Sequence, residues 1–147
     1  MTRLGTVVNG LAMVAVLAAS SAVRADNEDT IEYRKHVMKT LGEQAAVIGM
    51  ILQKKAPADH FATHVQVLAI TAATAKKAFE PKVPGGDSKP EVWTNWADFS
   101  KRLDALTAAT DDLAKAAASG GVSAVEPKMQ AAMTCKSCHD NYRVPKK

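Results

Sequence analysis

The chain's only two cysteines stand three apart close to its C-terminus, with a histidine directly behind the second: Cys135-Lys136-Ser137-Cys138-His139. C-x-x-C-H is the spacing of a c-type haem attachment site. Each thiol can add across one porphyrin vinyl group to form a stable thioether, and the neighbouring imidazole is then delivered to the iron as its proximal ligand. Serine forms no thioether, and a histidine elsewhere in the chain would not be brought to the iron by the same covalent clamp. Two other uses of a bare C-x-x-C fit less well. A thioredoxin-like redox pair belongs in a βαβ context, and the flanking pattern here is helical. A structural zinc site takes four ligands, and no further cysteine is there to supply them.

The elements that must position this run read as four helices. The first spans about Thr30 to Lys54, with Asp29 or Thr30 as its cap. Arg34, Met38, Leu41, Ala45, Ile48 and Leu52 form its inward stripe at helical spacing. Ala56-Pro57 breaks it. A second runs from about Asp59 to Phe79 on Phe61, Val65, Leu68, Ala72, Ala75 and Phe79. Prolines and glycines make Glu80 to Pro90 the one long irregular loop, whose length invites variation, not chemistry. The third starts between Glu91 and Asp98 and continues to about Ala118 on Trp96, Phe99, Leu103, Leu106, Thr110, Leu113 and Ala117, until Ser119-Gly120-Gly121 stops it. The fourth runs from about Ser123 to Tyr142, with Pro127 in its first turn. Its stripe is Val125, Met129, Ala132, Cys135, His139 and Tyr142, which puts the attachment site on the buried face.

Four amphipathic helices with mostly short connections imply an all-α, antiparallel four-helix bundle. Alanine dominates the apolar positions. Such a core packs closely but buries little per side chain, so a large flat prosthetic group enclosed by the bundle, here a covalently attached haem c, contributes much of it. The haem-free chain is expected to be poorly ordered.

The N-terminus reads as a secretory signal over residues 1–25: Arg3 is basic, Leu11 to Ala19 is a short apolar run, and Val23-Arg24-Ala25 resembles a cleavage site. The apolar run is too short for a comfortable membrane anchor, so cleavage after Ala25 and a periplasmic location are expected. Removing it from the 147 residues leaves 122, about one domain, residues 26–147. Arg3 and Arg24 leave with the signal, so the formal charge falls from +4 to +2. That near balance gives no ground for a nucleic-acid partner.

With these residues on the page, the whole mature chain resembles class II cytochromes c, the cytochrome c′ type, four-helix bundles with the haem site near the C-terminus. Cys135-x-x-Cys138-His139-x-x-Tyr142-Arg143 matches that family's attachment run. Tyr33-Arg34-Lys35-His36-Val37-Met38-Lys39 resembles its first-helix motif, and Ser88-Lys89-Pro90-Glu91-Val92-Trp93 resembles the opening of its third helix. The resemblance implies one haem c attached at Cys135 and Cys138 with His139 as proximal ligand. It also implies that Arg143 lies beside the imidazole and tunes the iron, and that Arg34 meets a haem propionate.

Met38 decides between two functions the resemblance allows. If its sulfur reaches the iron, the haem is six-coordinate and low-spin, and the protein transfers electrons to redox partner proteins. This is the leading expectation, since sulfur is a soft ligand on a flexible side chain. If Met38 only packs over the distal face, the iron is five-coordinate and binds small gases such as nitric oxide or carbon monoxide. Met50, Met129 and Met133 read as core filler. His60 and His64, one turn apart, are two ligands short of a metal site, and His36 sits on a charged face; none is assigned a role. No acid/base pair or nucleophile accompanies the site, so an enzyme is not expected. Relatives of this type often pair through their first two helices, and Gly42 and Gly49 would permit a homodimer of that kind, though small residues also serve tight packing within one bundle.

Overall fold

The computed structural model describes residues 26–145, so the expected leader lies outside the described residues. Every regular element among them is helical: α1 (Asn27–Leu52), α2 (Phe61–Phe79), the single turn α3 (Glu91–Thr94), α4 (Trp96–Val125), a 3₁₀ turn (Glu126–Lys128), α5 (Met129–Ala132) and α6 (Cys135–Tyr142). Helix α2 packs against both α1 and α4, while the 3₁₀ turn and α5 fold back on α4, and α6 docks on α3 and α4.

Helix α1 starts earlier than the stripe suggests. Its cap is Asp26, neither Asp29 nor Thr30: the Asp26 carboxylate accepts from the Asp29 amide at 2.9 Å, and Thr30 Oγ1 donates to the Asp26 carbonyl at 2.9 Å. Aspartate is among the best caps, and Glu28 and Asp29 in the first turn add charge that suits the helix dipole. At its other end the helix stops before Lys54. Lys54 takes φ 59°, its amide meets the Ile51 carbonyl at 2.9 Å, and the Lys55 amide meets that of Met50 at 2.8 Å. This is a Schellman stop with lysine where glycine is usual.

The expected stripes of α2 and α4 describe the core. Phe61, Val65, Leu68, Ala72, Ala75 and Phe79 are all buried, as are Phe99, Leu103, Thr110, Leu113 and Ala117. Thr110 is accommodated because its hydroxyl donates to the Leu106 carbonyl at 2.9 Å. The third helix leaves helical geometry at Gly121, with φ 60° and ψ −143°, within the expected stop.

The fourth helix departs from expectation. It is broken into the end of α4, the 3₁₀ turn carrying Pro127, α5 and α6. Proline lacks the amide a continuous helix needs there, and Met133 at φ −87°, ψ 53° resets the phase before α6 begins. A single stripe therefore does not run through it. Val125, Ala132 and Tyr142 are buried, but Cys135 is exposed and His139 is half-buried, so the attachment residues do not share the buried face that an unbroken helix predicts.

Candidate haem site

Helix α6 begins at the first attachment cysteine, so both thiols sit in its first turn and His139 follows directly. Cys135 is exposed; Cys138 is half-buried and packs against the core; neither is in a disulfide. Burial pushes the Cys138 thiol pKa up, with the Arg102 guanidinium pulling the other way. Arg143 ends the helix in extended conformation, its amide on the His139 carbonyl at 3.0 Å. His139, Asp140, Arg143, Val144 and Pro145 line one surface concavity of about 200 Å³. The structure thus brings Arg143 beside the expected proximal ligand.

The dock that holds α6 was not legible in advance. Tyr142 is 5% exposed, and its ring meets Phe99 edge-on at 5.0 Å; Phe99 in turn meets Phe79 at 5.1 Å. The Tyr142 hydroxyl donates to the Asp98 carboxylate at 2.5 Å and accepts from Asn95 Nδ2 at 3.2 Å. Arg102 Nε bonds the same Asp98 oxygen at 2.6 Å, with its guanidinium 5.8 Å from the Tyr142 ring centre. The Tyr142 bond, then Arg102, holds Asp98 below the usual carboxylate range; burial, then Asp98, holds Tyr142 above the usual phenol value.

On α1, Met38 is half-buried and packs against the core. Arg34, one turn earlier, is only 2% exposed, far from an ordinary surface arginine. Where the resemblance implies a haem propionate, the structure gives it the main chain of the 80–90 loop: Nη1 donates to Val83 O at 2.7 Å and Nη2 to Gly85 O at 3.5 Å. Its guanidinium lies 5.0 Å from the Trp93 ring centre and 5.5 Å from that of Phe79, and burial lowers its pKa. His36 and His60 are exposed, while His64 Nδ1 lies 2.9 Å from Gln44 Oε1, a link between α2 and α1.

The donor set fits a covalently held haem. Two thiols outside any disulfide sit three residues apart with an imidazole adjacent, and no cluster of three or more His, Cys, Asp or Glu forms a competing metal site among the described residues. A helical bundle carrying that set on its last helix defines a c-type haem protein of the bundle class. The cytochrome c′ family model matches residues 29–143, and the chain belongs to that family. Its members bind one covalently attached haem c. Among relatives, cytochrome c′ of Alcaligenes xylosoxydans xylosoxydans is 30% identical over 126 residues, covering 81% of this chain and 96% of its own. That of Pararhodospirillum photometricum is 33% identical over 129 residues, covering 81% and 99%. Among solved structures, a nitric oxide complex of a cytochrome c prime variant from Alcaligenes xylosoxidans superposes with TM-score 0.76 at 28% identity, covering 83% of this chain and 99% of that one. A carbon monoxide-bound variant from the same organism gives 0.75 at 28% identity, covering 82% and 98%.

Proposed function

We propose that this chain is a periplasmic gas-binding haem protein: its iron is five-coordinate and high-spin, and takes nitric oxide or carbon monoxide on the face over which Met38 packs. The observation that carries this reading is the likeness, over nearly the whole length of each neighbour, to cytochromes c′ solved as nitric oxide and carbon monoxide complexes. Met38's packing against the core supports it, because a side chain already filling apolar space serves as a cover without reaching metal. The comparisons favour it over the leading sequence expectation, electron transfer with Met38 as sixth ligand.

In this reading Cys135 and Cys138 carry the thioethers, His139 is the proximal ligand, and Arg143 beside it disfavours imidazole protonation. Arg34 is the candidate for a propionate with the N–H donors that Val83 and Gly85 leave over. The haem, when bound, would supply an iron able to take up a gas; the chain would hold it, orient it and screen its distal side. The role is binding, not catalysis. Export with cleavage after Ala25 belongs to the proposal, and no described helix is long and apolar enough to cross a membrane. So does electron supply by redox partner proteins. A homodimer through α1 and α2 also belongs to it, supported by open space beside Gly42 and Gly49.

Optical spectra of the purified ferric and ferrous protein, with and without carbon monoxide, test the reading. A high-spin spectrum that shifts with the gas is expected. Met38→Ala should leave the spin state unchanged and raise carbon monoxide affinity about tenfold, or about 1.4 kcal/mol, by uncovering the distal face. A low-spin spectrum with a sulfur-to-iron band that vanishes in Met38→Ala would overturn it.

A further inference from the structure

The loop between α2 and α3, set aside in the sequence as a place for variation, is bonded on both sides. On one side it meets α1. Arg34 holds the Val83 and Gly85 carbonyls, and Ile31 fills the space beside the glycines, where an added Cβ would come within 2.9 Å of its side chain at either position. Gly85 and Gly86 have φ 128° and 61°, so only glycine makes this turn without strain. On the other side the loop meets the end of α6. The Val144 amide donates to Asp87 O at 2.9 Å, the Lys89 amide to Tyr142 O at 3.0 Å, and Lys89 Nζ to Asp140 O at 2.9 Å, while Ser88 pairs with Arg143 in an isolated antiparallel bridge.

The loop thus spans from the turn before Met38 to the residues flanking His139. Its α1 anchor is packed from several sides: the Arg34 fork lies against Trp93 and Phe79, and Trp93 Nε1 donates to the Phe79 carbonyl at 3.0 Å. A buried guanidinium whose described hydrogen bonds go to loop carbonyls is costly unless the loop stays in place to receive them.

We infer that Arg34 is a positioning residue that acts through this loop, fixing the helix that carries Met38 and the tail that carries Arg143 in one register, so that the two faces of the haem are set together. Loosening Arg34 disturbs the proximal side as well as the distal one. The inference rests on the gas-binding reading only for its two haem readouts.

The test uses the holoprotein with two separate substitutions, Arg34→Lys on α1 and Gly86→Ala in the loop. The first keeps the charge but loses the fork; the second leaves Arg34 in place and crowds Ile31. Hydrogen exchange is read in segments 83–90 and 140–145, alongside the ferrous iron–imidazole stretching band and the carbon monoxide association rate. Both variants should speed exchange in 140–145 about tenfold and shift the iron–imidazole band in the same direction. Exchange and band unchanged in 140–145 for either variant would overturn the inference; a changed gas rate alone would mean that Arg34 acts on the distal face or a propionate only. If the wild-type ferrous protein takes up no carbon monoxide, the gas-binding reading fails, and the loop's role is still decided by hydrogen exchange in 140–145.

Discussion

Replacing Phe99 by leucine isolates the energy that docks α6. Phe99 is 3% exposed and lies between Phe79 of α2 and Tyr142 of α6, at 5.1 and 5.0 Å with interplanar angles of 63° and 71°. Leucine keeps most of the apolar burial, so the transfer contribution changes little; what disappears is the edge-on geometry. Each such pair is worth about 0.5–1.5 kcal/mol, so two give a loss of about 2 kcal/mol. The tilted contact with Trp96 at 5.8 Å and 40° adds little, because Trp96 is half-exposed. In a domain of this length the loss lowers Tm by about 8 °C. Denaturant unfolding of the holoprotein measures it, with an unchanged m value as the sign that the transition stays two-state. A cycle with Tyr142→Leu then separates docking from general core loss: the double variant should be about 1 kcal/mol less destabilised than the two single changes added together. A loss below about 0.5 kcal/mol, or strict additivity with Tyr142→Leu, would show that the ring contacts do not hold α6.

The remaining predictions concern attachment, pH and one helix end. Cys135→Ala with Cys138→Ala should yield a chain whose intact mass carries no haem, whereas His139→Ala should retain the covalent mass and alter the ferrous spectrum; haem retained on the double cysteine variant would contradict the assignment. Tyr142 has a folded pKa above its ordinary 10.0, so its contribution is whole below pH 10.0 and is lost as pH rises through the folded value. Asp98, held below its ordinary 3.8, contributes above that value and loses its contribution as pH falls through the folded one. Tyr142→Phe should therefore flatten both the alkaline and the acid limb of Tm against pH, and a curve parallel to wild type would refute the coupling. Lys54→Gly should raise stability by about 0.5–1 kcal/mol in denaturant titration by relieving a left-handed non-glycine residue, and a fall would show that the αL lysine is unstrained.

What could be read in advance was what rests on periodicity and on chemistry that tolerates few substitutes. The α2 stripe is fully buried because six apolar residues at helical spacing leave only one face to cover. The covalent haem was legible because thioether formation and iron ligation admit few residue types. The α6 register was missed because Pro127 and Met133 interrupt the helix between two stretches whose apolar spacing matches an unbroken one. The Tyr142, Asp98 and Arg102 network joins residues 44 apart in sequence, and no local pattern encodes such a meeting. The loop's importance was hidden for a similar reason: its partners are main-chain atoms, which every residue carries, and only Arg34's place on an apolar stripe hinted that a cation had something buried to bind.

The helix that carries both cysteines and His139 is eight residues long, from Cys135 to Tyr142. An isolated helix in water needs about 12–15 residues to hold its shape, so this one is helical only once Tyr142 has settled against α4. A newly made chain, whose remaining helices have yet to assemble, offers the same eight residues as open coil with both sulfurs within reach. The shortness of α6 therefore leaves its two thiols open to chemistry until the rest of the bundle has assembled around them.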